Sequence, residues 1–277
     1  KARGGIIDIS VVIPSYNRAG RLRAALESVA EQTLKPSEVI VVDDGSSDGT
    51  AALLRYVFPN VRYLYRRHRG VSAARNEGIR AAGGDWIALL DSDDTWKSSK
   101  LERQAEALAQ APRCRLIHCD EIWMRNGRPF AQKTKHRKNG GWIFERCLHM
   151  CAISPSSALL HRSVFDNIGW FDESLPACED YDLLLRLTAR EPVLFVPEAL
   201  VVKHGGHGDQ LSRRMPALDR FRIKALVKLI DSGTLTGIQR EAALGTLTKK
   251  LDIYITGARK RGRDVDASRY ESIRCRP

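Results

Sequence analysis

Four short apolar segments, three of them stopped by a polar cluster, constrain this chain most. Ile9–Ile13 runs into Pro14-Ser15-Tyr16-Asn17, Val39–Val42 into Asp43-Asp44-Gly45-Ser46, and Trp86–Leu90 into Asp91-Ser92-Asp93-Asp94; Val61–Leu64 is the fourth. Each is too short for a helix, and each reads as a buried strand. Helical spacing fills the gaps. Leu22, Ala25, Leu26, Val29 and Ala30 share one face of residues 20–32, residues 50–57 read as helix, and residues 71–82 form a helix that stops at Gly83-Gly84. Leu101, Ala105, Leu108 and Ala109 mark a further helix within 97–111, and Leu116–Cys119 a further strand. Such alternation predicts an α/β fold: an open, mostly parallel sheet with helices on both faces. Ligands of such sheets bind beyond the carboxyl ends of the strands, so the three polar clusters point at one crevice.

The pattern loosens after residue 120. Residues 123–141 read as a polar, basic loop, Ser157–Leu160 as a strand, 163–168 as a helix, 179–190 as a helix, and Val193–Val196 and Leu200–Val202 as two short strands. From Pro216 the character is amphipathic helix, with Leu218, Phe221, Ala225 and Leu229 on one face and Leu247, Leu251 and Tyr254 on another. The expected division is a catalytic unit over 1–212 and a basic helical C-terminal extension over 213–277. That extension holds sixteen Lys or Arg against seven Asp or Glu, +9 of the chain's net +12, and a second basic run spans Lys133–Lys138. Basic surface attracts nucleotide phosphates, acidic lipid or nucleic acid. No aromatic stacking platform or recognition-helix pattern accompanies it, so nucleic acid is not favoured.

No apolar run is long enough to cross a bilayer, and no charged-apolar-small leader opens these residues. The six cysteines are scattered without a Cys-x-x-Cys and read as reduced thiols. The expectation is a cytoplasmic protein, peripheral at the inner face of a membrane where the extension meets acidic lipid.

Asp91-Ser92-Asp93-Asp94 is the sharpest chemical feature. Alternate carboxylates at a strand end suit a hard divalent cation, Mg²⁺ or Mn²⁺, that keeps positions open for phosphate oxygens. The plainer alternative is a turn capping the following helix. A carboxylate of Asp43-Asp44 can accept a hydrogen bond from a nucleotide base, or simply belong to a polar turn. Glu179-Asp180 opens a helix, where acidic residues favour the dipole and where a carboxylate can also serve as general base.

Val11-Val12-Ile13-Pro14-Ser15-Tyr16-Asn17-Arg18, Val41–Ser46, Gly70-Val71-Ser72-Ala73-Ala74-Arg75-Asn76-Glu77-Gly78 and Leu90–Asp94, in that order and spacing, resemble family 2 glycosyltransferases. Gly169-Trp170-Phe171-Asp172-Glu173 and Glu179-Asp180-Tyr181-Asp182 resemble that family's acceptor-side segments. The likeness covers about residues 8–214 and is specific because several weak motifs occur in sequence. It implies a GT-A fold, a nucleotide-sugar donor, inversion at the anomeric carbon, and a carbohydrate or lipid-linked acceptor. It also implies that Pro14, Tyr16, Asn17, Arg75 and either Asp43 or Asp44 bind the nucleotide. Asp91 then faces the ribose or the metal, and Asp93 holds the Mn²⁺ or Mg²⁺ that bridges the diphosphate. Asp180 is the implied base, with Glu179 beside it.

In His204-Gly205-Gly206-His207-Gly208-Asp209-Gln210-Leu211-Ser212, His207 fits the family's metal-reaching histidine better than His204, and Arg213 would neutralise the leaving diphosphate. A sugar-phosphate nucleotidyltransferase would need a Gly-rich basic loop where Ser15-Tyr16-Asn17-Arg18 stands; a non-catalytic anion binder would release no diphosphate.

Overall fold

The computed structural model describes residues 7–206, 208, 215 and 217–274, the side chain of 135 excepted. Strand β1 (Ile9–Ser15) is followed by α1 (Ala19–Ala30), β2 (Glu38–Asp43), α2 (Thr50–Tyr56), β3 (Arg62–Tyr65), α3 (Val71–Ala81) and β4 (Trp86–Leu89). Then come β5 (Asp94–Trp96), α4 (Lys100–Gln110), β6 (Leu116–Arg125), β7 (Arg128–Pro129), α5 (Phe144–His149), β8 (Leu159–His161) and α6 (Ser163–Asn167). The chain continues through α7 (Glu179–Thr188), β9 (Leu194–Gly205), α8 (Asp219–Asp231), α9 (Gly237–Arg259) and α10 (Asp264–Arg274).

Among the described residues the strands form one sheet in the order β3-β2-β1-β4-β8-β6-β9-β5, with β7 paired on β6. The first four strands are parallel, as the alternation predicts. The far half is mixed: β8 runs antiparallel to β4 and β6, β5 antiparallel to β9, and β6 parallel to β9. Successive side chains of a strand point to opposite faces. Val12, Ile40, Val42, Ile87 and Leu89 therefore enter one apolar cluster, and Val11, Ile13, Val41, Ala88 and Leu90 the other. Both faces are covered, which is why these strands read as continuous apolar runs. Gly78 brings α3 against β1 and β2: a Cβ there would strike the Val12 and Val42 side chains.

Two local expectations are corrected, and the capping alternative for Asp91–Asp94 is not what forms. Asp94 opens β5, paired to Lys203, and α4 begins only at Lys100. Residues 123–129 are not loop. Asn126 and Gly127 both have positive φ, at 51° and 77°, and turn β6 into β7 as a two-residue hairpin. The two short strands after residue 193 are one, β9, whose register against β6 jumps from Cys119↔Val196 to Asp120↔Ala199. Pro197 sits in that bulge, where it has no N–H to give the ladder.

Helices α8, α9 and α10 share the first cluster with α5 and α7, through Ile223, Leu226, Leu229, Leu247, Leu251, Ala258 and Ala267. Much of their positive charge is paired: Lys228 with Asp172 and Asp182, Lys250 and Arg222 with Asp219, Arg259 with Glu271, and Arg274 with Asp252. No described helix is long and apolar enough to cross a membrane.

Candidate functional site

A crevice of about 1090 Å³ opens at the carboxyl ends of β1 and β4 and is walled by the start of α7. Pro14, Tyr16, Asn17, Asp44, Arg75, Asp91, Asp93, Glu179 and Asp180 all line it. His207 and Arg213 lie outside the described residues, as does the expected boundary at 212–213.

At one end Tyr16 stacks on His68, with ring centroids 4.2 Å apart and planes 24° from parallel. Spacing alone did not single out His68. The turn after β1 is held by Asn17, whose backbone N–H donates to Ser46 Oγ at 2.8 Å and whose Oδ1 accepts from the Ser47 N–H at 2.8 Å. The two neighbouring aspartates diverge. Asp43 turns inward, accepting from the Ser46 N–H at 2.8 Å and from the Tyr63 hydroxyl at 2.9 Å. Asp44 faces the crevice and accepts from the N–H groups of Arg69 at 3.0 Å and Gly70 at 2.7 Å, with Arg66 Nε 3.1 Å away. Gly45 between them and the loop has φ 87°, and a Cβ there would meet the His68 N–H at 2.9 Å. Only glycine fits this close approach.

In the middle, Arg75 is buried and bridges two elements. Its Nη2 lies 2.6 Å from Asp91 Oδ1 and its Nη1 2.5 Å from Glu179 Oε1. Burial opposes charge on Asp91, but Arg75, with Lys203 and Arg18 beyond, holds its carboxyl below the usual range. Glu179 goes the other way: burial raises it against the pull of Arg75, and Asp180 next door adds to the rise. Asp93 pairs with Arg18 at 2.9 Å. Asp94 is buried under the site, accepting from Ser156 Oγ at 2.6 Å, and burial with the charges of Asp91 and Asp93 pushes it up to about 7.

Asp91 and Asp93 are hard oxygen donors on the crevice wall, and a pair of carboxylates completed by phosphate oxygens is the usual protein share of an Mg²⁺ or Mn²⁺ site. The described residues contain no cluster of three or more His, Cys, Asp or Glu suited to a metal, so among them the fit rests on the oxygen donors of Asp91 and Asp93 alone.

At the far end α7 begins after Cys178, whose φ of 62° is a left-handed conformation that costs a non-glycine residue about 1 kcal/mol or more. Asp180 presents Oδ2 to the Cys151 thiol at 2.9 Å, while Oδ1 accepts from the Tyr181 N–H at 2.7 Å. Asp182 is withdrawn, buried and paired with Arg186 at 2.7 Å and Lys228 at 3.0 Å. Among the three acids that open α7, Asp180 is thus the one on the crevice without an ion pair to an arginine or lysine among the described residues. Cys151, Leu218 and Arg222 complete this end; the last two come from the C-terminal helices. None of the three was legible as a site residue, because each reaches the crevice only through tertiary packing.

The sequence profile of glycosyl transferase family 2 matches residues 10–169. The uncharacterized glycosyltransferase YwdF of Bacillus subtilis is 32% identical over 226 residues, covering 78% of this chain and 83% of YwdF. A Haemophilus influenzae glycosyltransferase is 31% identical over 180 residues, 65% of this chain and 61% of that one. A Rickettsia bellii glycosyltransferase is 29% identical over 221 residues, and there this chain spans only 31% of the relative's length. Among solved structures, S. aureus TarS 1–349 in complex with UDP-GlcNAc superposes with TM-score 0.72 at 19% identity, over 92% of this chain and 75% of that one. Mannosyltransferase PcManGT from Pyrobaculum calidifontis, in complex with GDP-Man and Mn²⁺, gives TM-score 0.58 at 18% identity, over 96% and 82%. With the profile spanning more than half its length and the fold of the GT-A enzymes, this chain belongs to glycosyl transferase family 2.

Proposed function

We propose that the chain moves a sugar from a nucleotide-sugar donor to a hydroxyl acceptor with inversion at the anomeric carbon. One observation carries the reading: Arg75 ties Asp91 to Glu179, which sets Asp180 on the same crevice as Asp91 and Asp93. In this reading Tyr16, with His68 behind it, stacks on the base, and Asp44 rather than Asp43 reads its edge, since Asp44 lines the crevice and Asp43 does not. Asp91 and Asp93 would hold Mn²⁺ or Mg²⁺, which when bound offsets charge on the leaving diphosphate. His207 and Arg213 are retained as proposed partners of the metal and the diphosphate.

The step is a single displacement. The acceptor oxygen bonds to the anomeric carbon as the bond from that carbon to the diphosphate oxygen breaks on the opposite face. Asp180 takes the hydroxyl proton. The complexes of TarS with UDP-GlcNAc and of PcManGT with GDP-Man and Mn²⁺ support this donor class and the metal. A 46% identity over 101 residues to the succinoglycan biosynthesis protein ExoO of Rhizobium meliloti supports a carbohydrate or lipid-linked acceptor in polysaccharide synthesis. The net charge of +12 supports work beside an acidic membrane surface.

The test is a thermal-shift panel of nucleoside diphosphates and nucleotide sugars with and without Mn²⁺, followed by diphosphate release. A bound nucleotide at about 100 times its Kd adds roughly 2.7 kcal/mol of stability. Asp93→Ala should lose the Mn²⁺-dependent part of that shift. Full turnover in excess chelator overturns the metal, and a shift with no diphosphate release overturns the transferase.

A further inference from the structure

The Asn126-Gly127 hairpin sets two arginines directly opposite each other, Arg125 against Arg128. Like charges at facing positions of a hairpin repel and cost stability. The hairpin's own segment supplies no carboxylate to relieve the pair. From residue 122 to 144 the chain has Arg125, Arg128, Lys133, Lys135, Arg137 and Lys138 and not one Asp or Glu. Lys138 turns inward, to Glu121 at 2.8 Å. Arg125, Arg128, Lys133 and Arg137 are exposed, and among the described residues none of the four has an ion pair. The C-terminal helices contrast with this, since they meet many of their cations with their own carboxylates.

Place and companions narrow the partner. The strand pairs that lead into the hairpin are Trp123↔Lys203, Met124↔His204 and Arg125↔Gly205, and Lys203 and His204 line the crevice. The tip therefore stands at the crevice rim. Phe130, 44% exposed, follows Arg128 after Pro129. Around the turn Arg125, Asn126, Arg128, Pro129 and Phe130 line a hollow of about 500 Å³. Beyond it the segment runs back along β6, through the Phe130 N–H to Trp123 O at 2.7 Å and the Gln132 amide to Glu121 O at 3.0 Å, so the later cations continue from the hollow as a strap. An unrelieved basic strap with an exposed aromatic at its tip matches a surface that is anionic, broad and apolar just beneath, which is a bilayer containing acidic phospholipid.

We infer that the Arg125–Arg128 hairpin, with Phe130, Lys133 and Arg137, is the element that docks this protein on an anionic membrane and turns the crevice rim toward the lipid. This deepens the membrane-side part of the proposed function and locates it away from the basic C-terminal helices. It stands apart from the transferase chemistry, which diphosphate release tests on its own.

The experiment is co-sedimentation of the full chain with phosphatidylcholine vesicles, with and without phosphatidylglycerol, at low and moderate salt. Wild type should bind the phosphatidylglycerol vesicles and release as salt rises. Each cation at such a surface is worth about fivefold in partitioning, so Arg128→Glu, a change of two charges, should weaken binding on the order of 25-fold. The same substitution turns a like-charged facing pair into an opposite-charged one, so its Tm should hold or rise, which separates lost binding from lost folding. Phe130→Ser should weaken binding at both salt levels. Lys249→Glu with Lys260→Glu, two exposed positions on and just after α9, should bind nearly as wild type. Wild type that ignores phosphatidylglycerol overturns the proposal. So does an Arg128→Glu protein that binds unchanged, or a Lys249/Lys260 variant that loses as much. Binding of an anionic polysaccharide but not of vesicles would give the hairpin to a polymeric acceptor instead.

Discussion

Asp180 uses its two oxygens differently: one is fixed by its own helix through the Tyr181 N–H, the other by the thiol of Cys151. Burial first, and then the Asp180 charge, keep that thiol well above its usual range, so it stays protonated and can donate. It has one proton, and of its two acceptors, Asp180 Oδ2 at 2.9 Å and Ile153 O at 3.1 Å, the carboxylate is the nearer and the charged one. Cys147 and Lys203 also face the thiol, and Arg222 stands nearby. Asp180→Asn should leave the nucleotide-induced thermal shift intact and lower turnover by on the order of 10²–10⁴; a normal rate moves the base elsewhere. The same substitution removes the negative charge beside Cys151, so peptide-resolved alkylation of that cysteine by iodoacetamide at mildly alkaline pH should accelerate. An unchanged alkylation rate breaks the link between the two groups, while Cys151→Ser, which keeps a donor, should retain more turnover than Cys151→Ala. The sequence made Asp180 visible because acids at a helix start follow a motif. It hid Cys151, 29 residues earlier, and His68, 52 residues from its stacking partner Tyr16, because no spacing rule connects them.

At the scale of elements, the end of the crevice beside Asp180 depends on how α8 docks. Lys228 reaches from α8 to Asp172 at 2.8 Å and to the buried Asp182 at 3.0 Å, joining the segment after α6 to α7. Burial opposes ionisation of Asp172, but the hydrogen bonds from Lys228 and Ser174 hold its carboxyl down to about 2. A depressed carboxyl contributes stability that is present above its unfolded value, about 3.9, and lost as pH falls toward 2. Lys228→Ala should therefore lower Tm at neutral pH, and the gap to wild type should narrow between about pH 4 and 2. A gap of constant size across that window assigns the effect to packing alone. The helices and parallel strands were legible because their apolar periodicity is local. The hairpin and the bulged strand were not read correctly, although both carried signals: Asn126-Gly127 for a two-residue turn, and Pro197 for a break in the ladder but not in the strand. Basic composition masks the turn signal in the first case, and in the second a proline marks a bulge and a strand end alike.

The whole molecule is less divisible than its charge distribution suggests. The segment after residue 216 differs sharply in composition, yet Ile223, Leu226, Leu247 and Leu251 belong to the same apolar cluster as Val12, Ile40 and Leu89 of the sheet. Leu218 and Arg222 then carry that packing to the crevice wall. Periodicity predicted these helices but not their partners, since an amphipathic face announces that it will be covered and not by what. If one core spans sheet and C-terminal helices, heat should unfold both together. Leu226 is fully buried, and Leu226→Ala should cost about 2–5 kcal/mol through lost burial and the cavity left behind. For a chain of this size that corresponds to a Tm lower by roughly 3–9 °C. Calorimetry should show one transition in both proteins, displaced as a unit, with the nucleotide-stabilised transition displaced alongside it. A variant in which a small early transition splits off, while the nucleotide-stabilised one stays where it was, would make the C-terminal helices an independent unit and remove their claim on the acceptor end of the site.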